Sequence, residues 1–560
     1  MRCHTFPVRE KLTLGVAMTE IRVCGAVMAH PRRREEAEAL ARLDPDGATK
    51  VVLDPDPDGP PTAARTTKLA WSSVPGDATH FLVLQDDVEL ADGFFEHARK
   101  AAEQLPDDAI AFYANWNSRN GAAVRMAAAS GADWATAVNE YAPCLALMLP
   151  AEIARGYAGY ALRDRDGWPC DVLMFRYLKA LEVPIRIAVP NTVEHSGLPS
   201  VAGNDAHGLR RSACFSGVAP ASVGGVVAEH EVIPFHKHMT SECALRGDGY
   251  WEYLGTNRLL RRSGISPQEC RVEFERGPEL SEGAWQTWLT AFTMGLSTVE
   301  HSSAALDQAL ATIGPGGLCD RLLVSEIEAI TRSHHDVAVR GFAAGRERAA
   351  RPRRPRRGTG VEVAITGPGG TLAEHLASLL AELGHDIVDS AGVSGDTRLV
   401  HLGDTADPGD VFCAIVDTGP REHVLRFATP IGPHTSADSL VAHWIELAWT
   451  RRALPVDPDR VHQFTDVRDM ASAIDAVLTG GPVAPVYDIA TATLTGNELA
   501  KVVCSSVRSV PAEYVTSPSE TSVMKLGLAA AELGWTATIP ADEAVRAFGK
   551  WLAYDEDRVR

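Results

Sequence analysis

An unbroken apolar run, Phe81-Leu82-Val83-Leu84, leads through Gln85 to two adjacent carboxylates, Asp86 and Asp87, and on to Val88-Glu89-Leu90. Such a run, with no polar alternation, reads as a strand buried on both faces, which places it inside a layered α/β sheet. Carboxylates at the carboxyl end of that strand stand where open α/β sheets bind their ligands. The pair suits a divalent cation shared with the oxygens of a diphosphate. Taken alone, the same residues also read as an acidic turn after a strand.

At 560 residues the chain is too long for one ordinary core, so roughly two to four domains are expected. No stretch approaches the roughly 18 consecutive apolar residues that a membrane span needs. The start, Met1 to Ile21, is interrupted by Arg2, Arg9, Glu10, Lys11 and Glu20, so it lacks the apolar core of a secretory signal. A cytoplasmic location is expected. The ten cysteines are scattered without a Cys-x-x-Cys pair, which argues against a zinc site or a disulfide framework. A formal charge of −19 disfavours binding to nucleic acid or to an anionic membrane.

Three regions follow from the pattern. From about 21 to 215, strand-like runs (Ile21 to Met28, Val51 to Asp54, Phe81 to Leu84, Ile110 to Tyr113, Leu145 to Met148) alternate with helical ones at Arg32 to Leu43, Ala63 to Val74 and Val172 to Leu181. This predicts an α/β sheet of largely parallel strands. From about 216 to 345 the chain reads as mostly helical, over Glu279 to Leu296, Ser302 to Ile313 and Leu318 to Ile330. His230, His236 and His238 invite a metal, but Pro234 interrupts them and their spacing fits no standard zinc motif. The Arg- and Pro-rich stretch 346 to 358 reads as an extended, solvated linker rather than a nucleic-acid contact. From 359 onward Val361 to Ala373 spells strand, glycine-rich turn and helix, and Asp386-Ile387-Val388 supplies the next strand. Gly367, Gly369 and Gly370 would let a pyrophosphate approach the helix amino terminus.

With its motifs in this order, the first region resembles the GT-A fold glycosyltransferases, whose nucleotide-binding α/β sandwich carries an Asp-Asp or Asp-x-Asp metal motif. His80 to Leu90 is similar to that family's metal strand. The resemblance implies that Asp86 touches the ribose or base of the donor and that Asp87 holds Mn2+ or Mg2+. Asp171, in Asp166-Gly167-Trp168-Pro169-Cys170-Asp171 before a helix, matches the catalytic base of inverting members. His195, in Val193-Glu194-His195-Ser196-Gly197, matches the histidine loop that closes on metal and diphosphate.

The chemistry suits these roles. Displacing a nucleoside diphosphate from an anomeric carbon takes a cation on the leaving group and, for inversion, a carboxylate on the acceptor hydroxyl. Asp87 and His195 offer oxygen and nitrogen ligands suited to manganese. Arg65 and Lys68, on the preceding helix, are candidates for the diphosphate, or form a solvated helix face. Asp171 also reads as a helix cap and His195 as a structural histidine.

The last region resembles the extended short-chain dehydrogenase/reductase family, which includes NAD-dependent sugar-nucleotide epimerases and dehydratases. Thr366 to Ala373 is similar to its Thr-Gly-x-x-Gly-x-x-Gly turn, with Ala373 in place of the last glycine. Val424 to Pro433, Gln463 to Ile474 and Tyr487 to Ala490 are similar to its later segments. That family needs a Tyr-x-x-x-Lys pair, in which lysine lowers the tyrosine pKa for proton exchange. Between Asp389 and Arg426 there is neither tyrosine nor lysine. A degenerate Rossmann-like domain is therefore expected, with redox catalysis lost and NAD(P) binding left open.

The expectation is a metal-dependent, hexosyltransferase-like enzyme that moves a sugar from a nucleotide-sugar to an unidentified acceptor, with an open oligomeric state. Two alternatives remain. One is a bifunctional or NAD-dependent nucleotide-sugar-modifying enzyme, and the other a noncatalytic nucleotide-sugar-binding protein.

Overall fold

The computed structural model describes residues 3–7, 20–59, 62–162, 167–198, 208–247, 251–298, 304–351, 360–367, 370–388, 397–404, 412–418, 421–516 and 523–555. The chain divides into two units, one reaching Arg354 and the other beginning at Pro355. No described helix is long and apolar enough to cross a membrane.

In the first unit the strands in chain order are β1 (Cys3–Pro7), β2 (Val23–Ala29), β3 (Thr49–Leu53), β4 (His80–Gln85), β5 (Val88–Leu90), β6 (Ala109–Ala111), β7 (Trp134–Thr136), β8 (Ala146–Pro150), β9 (Ile185–Ala188), β10 (Val193–His195), β11 (Val226–His230), β12 (Val232–Lys237), β13 (Thr240–Arg246) and β14 (Trp251–Gly255). Nine of them form one sheet in the order β1-β11-β7-β9-β6-β8-β4-β2-β3. The strands β3, β2 and β4 are parallel, but β8 lies antiparallel to both β4 and β6. The sheet is thus mixed, and the largely parallel one expected from sequence is corrected. Local periodicity does not encode the direction in which a short strand re-enters a sheet.

The apolar run of β4 is buried on both faces, as its composition requires. Leu82 and Leu84 join Val27, Ile110 and Met148 in a core completed by Phe94 and Ala98 of the helix Phe94–Gln104 and by Leu105, which caps it. On the opposite side Phe81 meets Trp71 edge-on at 6.0 Å, and Trp71 meets Tyr157 at 6.2 Å.

The sheet extends past the expected boundary at 215, because β11 pairs with β7. The segment after it is not mostly helical at its start. Strands β12, β13 and β14 make a three-stranded antiparallel sheet before the helices Glu282–Ser297 and Val324–Ala349. These strands are buried in runs and show no apolar/polar alternation that would have marked them in sequence. The second of these helices runs to Ala349, so the first residues of the expected extended linker are helical.

In the second unit the strands are β15 (Glu362–Thr366), β16 (Asp386–Ile387), β17 (Arg398–Asp404), β18 (Phe412–Asp417), β19 (Glu422–Phe427), β20 (Thr429–Ile431), β21 (Leu454–Val456), β22 (Val461–Asp466), β23 (Val486–Ile489), β24 (Ala492–Thr495) and β25 (Ala512–Tyr514). The main sheet runs β16-β15-β17-β18-β19-β23. Its first three strands are parallel, with the helix Gly370–Leu383 joining β15 to β16, as in a Rossmann-like half. The polarity then changes. β17, β18 and β19 form an antiparallel meander, and β23 returns parallel to β19. Only residues 405 to 411 separate β17 from β18, and a turn closed by the Thr418 N–H on the Arg421 carbonyl separates β18 from β19. A crossover between parallel strands takes about a dozen residues or more, so connections this short enforce hairpins.

Candidate functional site

The first unit has a topological switch point. From β2 the chain passes outward to β3 and then returns to add β4 on the other side of β2. The crevice beyond the carboxyl ends of β2 and β4 is where such sheets take ligands. Residues after β2 and after β4 meet in it. Asp86 accepts the His30 backbone N–H at 3.1 Å, and the Arg33 guanidinium lies 3.0 Å from Asp86 Oδ1 and 3.4 Å from Asp87 Oδ2.

A two-stranded ribbon brings His195 to the same place. β10 pairs antiparallel with β5, His195 opposite Val88, and the Ser196 N–H donates to the Asp87 carbonyl at 2.9 Å. His195 Nε2 thereby lies 3.4 Å from Asp87 Oδ2. This histidine is the last residue of a strand, where a loop was expected. Ribbon pairing fixes it more firmly than a loop does.

Both side chains are buried, Asp87 at 7% and His195 at 2% exposure. Asp87 Oδ1 and His195 Nε2 are enclosed and form no hydrogen bond. An enclosed carboxylate oxygen without a hydrogen-bond partner, beside an imidazole whose Nε2 faces the other oxygen of the same carboxylate, is a donor set that suits a divalent cation. Among the described residues no group of three or more His, Cys, Asp or Glu is placed to hold a metal. The residues therefore fit a cation whose remaining ligands come from a diphosphate and water, and not one caged by protein alone.

The two aspartates are electrostatically unlike. At Asp86 burial and the adjacent Asp87 charge push the carboxyl above its ordinary pKa, against Arg33 and the His30 N–H. At Asp87 burial also pushes upward, but the His195 imidazole, Arg33 and Arg210 outweigh it and hold the carboxyl below the ordinary value. Asp87 is therefore the readier anion of the pair.

Arg33 and Arg210 were not singled out from sequence. Arg33 had a readable signal, since it follows the first strand of the sheet at the switch point. Arg210 had none, because only the return of the chain after β10 brings its charge onto Asp87. Arg211 beside it donates to the His195 carbonyl at 3.1 Å.

Asp171 is the second residue of the helix Cys170–Ala180, within its first turn and not at its cap. Its Oδ1 accepts the Val172 N–H at 2.9 Å, and its carbonyl accepts the Ala142 N–H at 3.0 Å. Burial raises the pKa of Tyr141, and the charge of Asp171 adds to it; burial likewise raises Tyr113, with the charges of Glu194 and Asp87 adding to it.

Arg65 is committed elsewhere. Its guanidinium makes a two-pronged contact with Asp54 at the end of β3 (3.1 and 3.0 Å) and reaches the Asp56 carbonyl at 2.7 Å. This contact holds the strand end. The Asp54 carboxylate neutralises the charge. Lys68 lies one turn farther along the same helix, partly exposed.

In the second unit Gly367 has φ +107°, and a Cβ there would fall 2.0 Å from the Leu402 carbonyl oxygen. This glycine is required by the approach of the turn to β17, whatever binds there. Gly370 opens the helix Gly370–Leu383 with φ +47°, while Gly369 lies outside the described residues. The motif around Asp466 is a structural knot. Arg468 bonds both Asp466 oxygens at 2.8 Å and Glu543 at 2.7 Å, and Asp469 accepts from Thr491 and Thr538.

No family model matches the chain, and no curated protein matches it. Similar solved structures include dTDP-glucose 4,6-dehydratase from Bacillus anthracis in complex with NAD (14% identity, 34% of this chain and 96% of that one, TM-score 0.26). Others are UDP-glucose 4-epimerase from Thermotoga maritima with UDP-glucose (14%, 34% and 98%, TM-score 0.25) and WbmF from Bordetella bronchiseptica with NAD+ and UDP (15%, 34% and 91%, TM-score 0.25). Likeness at this level carries no argument about activity. The Rossmann-like reading of the second unit rests on its own strand order.

Proposed function

We propose that the first unit is a metal-dependent transferase that moves a hexosyl group from a nucleotide-sugar to a hydroxyl-bearing acceptor. The observation that supports this reading is the buried Asp87–His195 pair, with Asp87 Oδ1 left without a hydrogen-bond partner, set at a switch-point crevice. Asp87 and His195 would hold Mn2+ or Mg2+, which when bound neutralises the charge of the departing diphosphate. Arg33 lies against both aspartates and Arg210 acts on Asp87, so these cations take the diphosphate role expected of Arg65. Asp86, with its raised pKa and its tie to the His30 backbone, is assigned to the donor nucleoside. Asp171 is assigned the acceptor proton, the role implied by the resemblance.

Titration of the full-length chain with UDP and GDP, with and without Mn2+, tests the reading. Tight binding only in the presence of the metal supports it, and metal-independent or absent binding refutes it.

A second reading gives the second unit nucleotide-sugar modification with NAD(P), using the Gly367–Gly370 turn at a helix amino terminus. The hairpins β17-β18-β19 oppose it, because they leave no crossover helix on which a proton-donating tyrosine and lysine could sit.

A further inference from the structure

After β10 the chain returns to the donor site as a short strap, residues 209 to 213. The strap lies alongside residues 114 to 116, which follow β6. Asn115 and Ser212 form an antiparallel bridge, the Trp116 N–H donates to the Arg211 carbonyl at 2.8 Å, and the Ala213 N–H donates to the Ala114 carbonyl at 2.9 Å. The Trp116 ring N–H adds a bond to the Leu209 carbonyl at 2.9 Å. Arg210 is therefore bracketed by two carbonyls that one tryptophan holds. Its charge is among those that hold the Asp87 carboxyl below its ordinary pKa.

In this bridge geometry the Ser212 N–H faces away from Asn115, toward the other edge of the strap. There Glu194 meets it. Glu194 Oε1 accepts the Ser212 N–H at 2.7 Å and the His195 N–H at 2.8 Å, and Oε2 accepts the Ser212 hydroxyl at 3.2 Å. One carboxyl group thus joins the backbone of His195 to the segment that carries Arg210. Glu194 is buried and stands opposite Glu89 in the β5–β10 ribbon. Burying a carboxyl group and setting it across from another are both unfavourable, so an apolar residue would suit the ribbon better. The three hydrogen bonds that Glu194 accepts offset this cost by tying down a segment outside the ribbon.

We propose that Glu194 is a positioning residue of the donor site, which fixes the strap 209 to 213 against β10 and thereby sets the Arg210 guanidinium for the diphosphate. The inference rests on the transferase reading and deepens it by naming what holds one of its diphosphate cations. An arginine on a backbone that is already fixed binds a phosphate without first ordering its own segment, whereas on a loose strap that ordering is charged against the affinity. Glu194 acts only through Arg210 and touches neither the metal nor the donor.

The test is calorimetric titration of the full-length chain with UDP or GDP in the presence of Mn2+. Glu194→Ala is expected to weaken the affinity about tenfold. Glu194→Gln should recover it to within about threefold, because the amide oxygen accepts both N–H bonds and the amide nitrogen donates to the Ser212 hydroxyl. In an Arg210→Met background Glu194→Ala should change the affinity by less than about twofold, a coupling that a general loss of stability does not produce. If Glu194→Ala does not fold, Ser212→Ala decides in its place, since it removes the hydroxyl bond and keeps both N–H bonds. It is then expected to weaken the affinity about threefold alone and to change nothing beside Arg210→Met. Unchanged affinity in the deciding variant, a Glu194→Gln chain as weak as Glu194→Ala, or equal losses with and without Arg210 overturn the positioning role and leave the donor reading intact. Absence of Mn2+-dependent nucleotide binding in the unaltered chain overturns the donor reading, and the positioning role with it.

Discussion

His195 Nε2 stands 3.4 Å from Asp87 Oδ2 because the ribbon of β5 and β10 places the two residues at one end of the same pairing. Neither residue is near the other in sequence, and the Ser196 N–H on the Asp87 carbonyl locks the register. Asp87→Asn is expected to abolish Mn2+-dependent binding of UDP or GDP with the fold intact, because a neutral amide is a much poorer ligand for a hard cation. Calorimetric titration of the variant checks it, with circular dichroism as the folding control. Since metal binding needs the carboxylate ionised and the imidazole neutral, the affinity of the unaltered chain should fall as pH is lowered.

Arg33 touches both aspartates, so Arg33→Met removes a charge-assisted contact worth about 1.5–3 kcal/mol where it meets a phosphate. A loss of about tenfold to a hundredfold in UDP or GDP affinity is expected in the presence of Mn2+. Arg65→Met should leave that affinity nearly unchanged, because Asp54 already holds the Arg65 guanidinium.

Asp171→Asn should lower turnover by about 10² to 10⁴ with donor affinity little changed, the scale of a lost general base. Steady-state release of nucleoside diphosphate measures it. Turnover like that of the unaltered chain would reduce Asp171 to a residue that stabilises the helix Cys170–Ala180 through its first-turn charge.

In the second unit Arg468 is 5% exposed between Asp466, at 1%, and the more open Glu543. Arg468→Met leaves the Asp466 carboxylate buried and uncompensated, and a loss of about 3–5 kcal/mol is expected. It should appear as an earlier transition for this unit in denaturant unfolding. Restoring stability with Asp466→Asn in the same chain would confirm that the cost is the stranded charge.

Spectrophotometric assay of the full-length chain with NAD+ and a panel of UDP-, dTDP- and GDP-hexoses should show no NADH formation. The meander β17-β18-β19 carries no tyrosine or lysine between the glycine turn and Arg426. Measurable NADH would promote the oxidoreductase reading of this unit.

The sequence by itself determined the features that depend on neighbours along the chain. The unbroken run Phe81 to Leu84 required a strand covered on both faces, and the aspartates after it had to lie at a sheet edge. Val361 to Ala373 spelled strand, turn and helix, and the missing tyrosine and lysine were visible as absences. Tertiary structure decided whatever depends on strand direction and on partners distant in sequence. Whether β8 runs with or against β4 is set by how its connections pack, and no periodicity records that. That Arg65 pairs with Asp54, and that Arg33 lies against both aspartates, follows from β3, β2 and β4 lying side by side. The histidine at 195 could be named from its motif, but only the pairing of β5 with β10 brings it to Asp87, because a contact between residues 108 apart is fixed by register and not by local preference.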